Sequence, residues 1–171
     1  MTHFDFTPTL PLEAYRQLAV LVIEDSPHMA SMLRIILNDL GVTKIWSARD
    51  GEDALRIFSR QKIDIAIIDE LEAPLDGLSI VRVLRTAETD ELQRIPVIYM
   101  TTRRSRQEII TARDAGVTEI LSKPFSAAQF MARFETIVKK PRQMVRSDNF
   151  IGPDRRRRDA TTQSDRRKPG Q

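Results

Sequence analysis

Cysteine is absent from the 171 residues. That excludes a disulfide framework and thiolate metal sites, and it suits a reducing, cytoplasmic setting. No apolar run reaches the roughly 20 residues that a membrane-spanning helix needs. The first ten residues include Asp5 and lack the basic-then-apolar order of a secretory leader. Glycine is scarce, at six residues, and none sits in a GxGxxG or Walker pattern. A dinucleotide fold or a P-loop enzyme is therefore disfavoured. Histidine occurs twice, and His28 has no second His or Cys beside it. It reads as a packing or solvent-facing residue, not a metal ligand. The lone tryptophan, Trp46, reads as a core residue of a strand.

Apolar residues make up 41% of the chain and charged residues 30%, enough for one sizeable core. The net charge of +3 hides an asymmetry. Residues 141–171 hold eight Arg and one Lys against four Asp, whereas residues 1–140 hold 18 basic and 20 acidic side chains. A slightly acidic body carries a strongly basic tail. Three segments follow: an N-terminal arm over 1–17, to which no function is assigned, a folded domain over 18–140, and an arginine-rich tail over 141–171.

Within the domain, short apolar runs alternate with helical patterns. Strands are expected at Leu18–Ile23, Lys44–Ala48, Ile63–Ile68, Pro96–Met100 and Glu119–Leu121. Helices are expected after each. Ser26, Asp50, Ser105 and Ser126 read as N-caps, Pro27 as a first helical residue, and Gly41 and Gly116 as stops. Parallel strands need crossovers, and here each crossover is a helix. The fold class is therefore α/β, a doubly wound five-stranded parallel sheet with a basic C-terminal tail.

Ligands of such sheets sit beyond the carboxyl ends of the strands. Glu24 and Asp25 follow the first strand, Asp69 ends the third, Thr101 follows the fourth and Lys123 the fifth. Clustered carboxylates need a counter-charge, and a hard oxygen-liganded ion such as Mg²⁺ supplies it. A carboxylate beside such an ion can attack phosphorus and become an acyl phosphate. The Thr101 hydroxyl and the Lys123 ammonium would then hold the phosphoryl oxygens.

The segments LVIEDS, IAIIDELEAPLDGL, PVIYMTT and ILSKPF, in this order on these strand ends, resemble the CheY-type receiver domain of bacterial response regulators, over roughly residues 17–140. The resemblance implies a flavodoxin-like receiver fold and a non-enzymatic signalling role. It makes Asp69 the phospho-acceptor, with Thr101 and Lys123 as switch residues. Glu24, Asp25 and Asp69 bind Mg²⁺, joined by the backbone carbonyl of Leu71. A cis Lys123–Pro124 bond is also implied. Two positions depart from the family pattern. Glu72 and Ala73 stand where a hydrophobe and a proline are usual, with proline one place later at Pro74, and Ile120 replaces the switch aromatic. Both fall on read-out machinery, not on the metal acids.

The tail has too few apolar residues for a core of its own and is expected to be mostly disordered alone. Arg142 and Arg146 form R-x-x-x-R, Arg155–Arg158 are contiguous, and Asp148 and Asp154 punctuate them. Guanidinium binds phosphate and the guanine O6/N7 edge bidentately and stacks on purines. Aspartate accepts from guanine's other edge. The tail resembles that of the Cle group of CheY-like proteins, which bind cyclic di-GMP through an arginine-rich extension and act on the flagellar motor switch. By that resemblance the ligand residues come from Arg142, Arg146, Asp148, Asp154, Arg155, Arg156, Arg157 and Arg158. Two alternatives stand beside it. One is an orthodox phosphorelay receiver, phosphorylated on Asp69 by a histidine kinase, whose tail only localises it. The other is a tail that binds nucleic acid or another polyanion without selectivity.

Overall fold

The computed structural model describes residues 10–103, 105–147 and 150–154. Strands β1 (Ala19–Ile23), β2 (Lys44–Ala48), β3 (Ile65–Ile68), β4 (Val97–Thr101) and β5 (Glu119–Ser122) form one parallel sheet in the order β2-β1-β3-β4-β5. The three central strands read AVLVI, IAII and VIYMT and are buried along their whole length. They are apolar throughout because both faces of the sheet are covered.

Side-chain alternation divides the core in two. Val20 and Val22 of β1 point to the face packed by Leu33, Ile36 and Leu37 of α2 (Pro27–Asp39) and by Phe130 and Phe134 of α7 (Ala127–Lys139). Leu21 and Ile23 point to the face packed by α3 (Gly51–Arg60), α4 (Gly77–Arg85) and α6 (Arg106–Asp114). The expected caps form. Ser26 accepts from Met29 N, Asp50 from Asp53 N, and Ser105 and Ser126 build capping boxes with Glu108 and Gln129. Gly41 and Gly116 close α2 and α6 with φ of 98° and 95°, a region that glycine enters without steric cost.

Several expectations need correction. Trp46 is not core: it is 39% exposed on the sheet-edge strand β2, which presents mostly exposed residues. Arg34 of α2 reaches over that strand, donating to Ile45 O and Ser47 Oγ. The third and fourth strands start one or two residues later than the apolar pattern suggests. Asp64 lies outside β3 and accepts from Ala19 N at 2.9 Å. Two short helices were not foreseen, α1 (Leu12–Arg16) and α5 (Asp90–Arg94). Helix α1 belongs to the body, because Tyr15 is fully buried and donates to Glu135 Oε1 at 2.8 Å.

A further correction concerns the first part of the tail, within residues 141–154. Met144–Ser147 (β6) and Phe150–Pro153 (β7) pair antiparallel, so this part is ordered on the body. Its anchor is close backbone approach, not an apolar core. Gly152 packs on Gly116, and a Cβ on it would lie 3.0 Å from Gly116 Cα and 2.6 Å from the Phe150 ring. Beneath, the buried Arg85 donates twice to Gly116 O and once to Gln93 O, satisfying carbonyls that the hairpin covers. Asp148 and Arg155–Arg158 lie outside the described residues.

Candidate phosphoryl-acceptor site

The topology brings the anticipated residues to one end of the sheet. Glu24 follows β1, Asp69 follows β3, Thr101 ends β4 and Lys123 follows β5. Glu24, Asp25 and Asp69 each offer a carboxylate oxygen, all within 4.8 Å of one another. Glu24 and Asp69 are buried and Asp25 is exposed, so the cluster is open on one side. Lys123 Nζ lies 2.5 Å from Asp69 Oδ1 and 3.7 Å from Glu24 Oε2. The geometry is that of ion pairs, because neither buried oxygen accepts a hydrogen bond. One ammonium thus faces the two buried carboxylates, with the third, Asp25, beside them. Burial, and then the neighbouring Asp69 charge, push the Glu24 carboxyl up to about 7, against a lowering by the Ser26 N–H and by Lys123.

This donor set fits a hard divalent cation. It consists of oxygens alone, two of them buried without a hydrogen bond, and it holds more negative charge than Lys123 balances. Lys123–Pro124 is cis, as the resemblance implied, and Ala73–Pro74 is cis as well. Leu71, expected to offer a carbonyl, has a φ of 45°. Few residues other than glycine adopt that region, so the backbone after Asp69 is locally strained. Beside it a cavity of about 320 Å³ opens between Asp25, Arg49 and the 71–75 loop.

Residues 20–135 match the response regulator receiver domain. The chain belongs to that family. It is 28% identical over 125 residues to chemotaxis protein CheY-3 of Vibrio cholerae, covering 73% of this chain and 95% of that one. It is 30% identical over 121 residues to chemotaxis protein CheY of Pseudomonas aeruginosa, covering 71% and 96%. Among solved structures it is similar to the receiver domain of a Pseudomonas aeruginosa sensor histidine kinase, with a TM-score of 0.60 and 28% identity, covering 70% of this chain and 94% of that one. That structure has a magnesium ion coordinated in the active site cleft.

Within the receiver, Thr101 is 4% exposed and donates its hydroxyl to Glu70 Oε1 at 2.5 Å. Glu70 was not singled out from sequence. The available signal was that it is the second acid of the pair Asp69-Glu70 at a strand end. Its other oxygen accepts from Thr102 N at 3.1 Å and Thr102 Oγ1 at 2.8 Å, and Arg103 Nε lies 3.4 Å from Oε1. These bonds and Arg103 outweigh burial and hold its carboxyl below the usual range. Ile120 lines a cavity of about 200 Å³ with Tyr99, Thr101 and Arg103.

Of the tail candidates, Arg142 is committed to the body. It and Arg133 take one oxygen each of the buried Glu119, at 2.7 and 3.2 Å. Arg146 is exposed on β6. The Asp154 backbone N–H donates to Gln143 O at 2.7 Å, closing the hairpin where the arginine run begins in sequence.

Proposed function

We propose that this receiver accepts a phosphoryl group on Asp69 from the phosphohistidine of a histidine kinase. The observation that carries the reading is the three-carboxylate cluster with Lys123 against Asp69. An Asp69 carboxylate oxygen attacks phosphorus, the phosphorus–nitrogen bond breaks, and the departing imidazole takes up a proton. Glu24, Asp25, Asp69 and the Leu71 carbonyl would hold Mg²⁺, which supplies charge neutralisation for the incoming phosphoryl oxygens. Lys123 gives up its pairing with Asp69 and binds a phosphoryl oxygen. The protein is a signal carrier in this reading, not a turnover catalyst, and it meets its kinase in the cytoplasm. Acetyl phosphate with Mg²⁺ is expected to add one phosphoryl group to the wild type, read by intact mass. Asp69→Asn is expected to add none, and chelation is expected to suppress labelling. Asp69→Asn labelled to the wild-type extent would defeat the assignment.

A second reading is favoured by the basic tail. Arg155–Arg158 follow immediately on a hairpin that is fixed to the body, and planar guanidinium groups suit guanine and phosphate together. In this reading the segment binds cyclic di-GMP, and the liganded protein engages a target such as the flagellar motor switch. Calorimetry on the full chain is expected to show binding at least about tenfold weaker when Arg155–Arg158 are all alanine. Equal affinity in the two proteins rules the reading out. So does equal competition by RNA, because a polyanion tail does not discriminate for guanine.

A further inference from the structure

We propose that Glu70 is a positioning residue that competes with the phosphoryl group for the Thr101 hydroxyl, and so restrains the switch until Asp69 is modified. The inference rests on Asp69 being the acceptor. A threonine hydroxyl has one proton to donate. Here Glu70 Oε1 receives it, and Thr101 Oγ1 in turn accepts from the Arg103 backbone N–H at 2.9 Å. Thr101 is buried, so it has little access to water as an alternative partner. A phosphoryl oxygen on Asp69 can be bound by this hydroxyl only after the Glu70 bond is broken.

Glu70 holds more than one group. Its second oxygen binds the backbone and hydroxyl of Thr102, and its first also faces Arg103. The carboxylate therefore fixes the start of the segment that leads from β4 to α6. Release of Thr101 loosens one of these attachments and changes how that segment is held. The cavity beside Tyr99, Thr101 and Ile120 gives the segment room to shift. Ile120 has no polar atom with which to follow the hydroxyl, so Glu70 is the side chain placed to register where the Thr101 proton goes.

The test uses the full chain with Mg²⁺ and beryllofluoride, a phosphoryl mimic, and reads affinity by calorimetry. Glu70→Ala is expected to bind about tenfold tighter than wild type. Glu70→Gln, which keeps an acceptor oxygen, is expected to fall between. In a Thr101→Ala background, Glu70→Ala is expected to change nothing, since no hydroxyl remains to compete for. An equal gain in that background shows simple charge repulsion and overturns the proposal. Unchanged affinity in Glu70→Ala, with a wild type that binds, overturns it too and leaves the acceptor assignment intact. If no protein binds the mimic, the acceptor assignment falls and this inference falls with it.

Discussion

Gly77→Ala is expected to destabilise the receiver by on the order of 4 kcal/mol, a fall in Tm of roughly 10 °C for a domain of this size. Gly77 opens α4, and its N–H donates to Glu70 O at 2.8 Å. A Cβ there would lie 2.0 Å from Asp69 O and 2.9 Å from the Tyr99 ring. The first clash is with backbone, which cannot rotate away, and it falls on Asp69, the proposed acceptor. The helix must therefore retreat or Asp69 must turn. A turn of Asp69 parts it from Lys123, so phosphoryl labelling is expected to fall along with stability. Gly51→Ala is the control. Its nearest neighbours would all be side-chain atoms of the half-buried Leu75, Cδ2 at 2.4 Å, Cγ at 2.6 Å and Cβ at 2.9 Å, so rotation of Leu75 with a small shift of its loop relieves the contact. Its cost is expected near 1–2 kcal/mol, within the ordinary range for overpacking. Urea denaturation of the two variants decides the matter. Equal stability in both would show that the backbone contact at Gly77 is not a constraint.

The parts of this molecule that were legible in sequence are those where one physical cause dominates. Buried central strands must be apolar on both faces, so AVLVI, IAII and VIYMT announce themselves. Caps announce themselves because an orphan N–H needs a short polar side chain, and Ser26, Asp50, Ser105 and Ser126 supply it. The acidic site was legible because strand ends converge in a parallel sheet. Residues whose role depends on tertiary partners were not. Trp46 has a core residue's chemistry but sits on a largely exposed edge strand, along which Arg34 donates to Ile45 O and Ser47 Oγ. Tyr15 looks like part of a loose arm until Glu135, 120 residues away, accepts its hydroxyl. The hairpin was hidden because its fit depends on what Gly152 and Gly116 lack, a Cβ, rather than on apolar side chains. Glu70 was hidden because its partners, Thr101 and Thr102, come from the neighbouring strand end.

The metal-free receiver is expected to lose stability as pH rises through the window from about 4.5 to 7, and Glu24→Gln is expected to remove most of that loss. Burial beside Asp69 raises the Glu24 carboxyl from 4.5 to about 7 in the folded chain. Between these values the folded state retains a proton that the unfolded chain has released. Raising pH therefore favours unfolding across the window and levels off above it. The shift corresponds to about 3 kcal/mol at 1.36 kcal/mol per pKa unit. Glutamine keeps an oxygen for the Ser26 N–H, which donates to Glu24 Oε1 at 3.1 Å, and it cannot ionise. At pH 8 with a chelator, Glu24→Gln should thus be more stable than wild type, while at pH 5 the two should be nearly equal. Both proteins contain the same histidines, so the difference between them isolates Glu24. Mg²⁺ reverses the order at pH 8, because the ionised cluster binds it and binding stabilises the folded state by mass action. Urea denaturation at pH 5 to 8, with chelator and with Mg²⁺, measures each arm. A metal-free wild type whose stability tracks that of Glu24→Gln across the whole range would mean that Glu24 is already ionised at low pH. Lys123, 3.7 Å from its outer oxygen, would then be a stronger counter-charge than burial and Asp69 together.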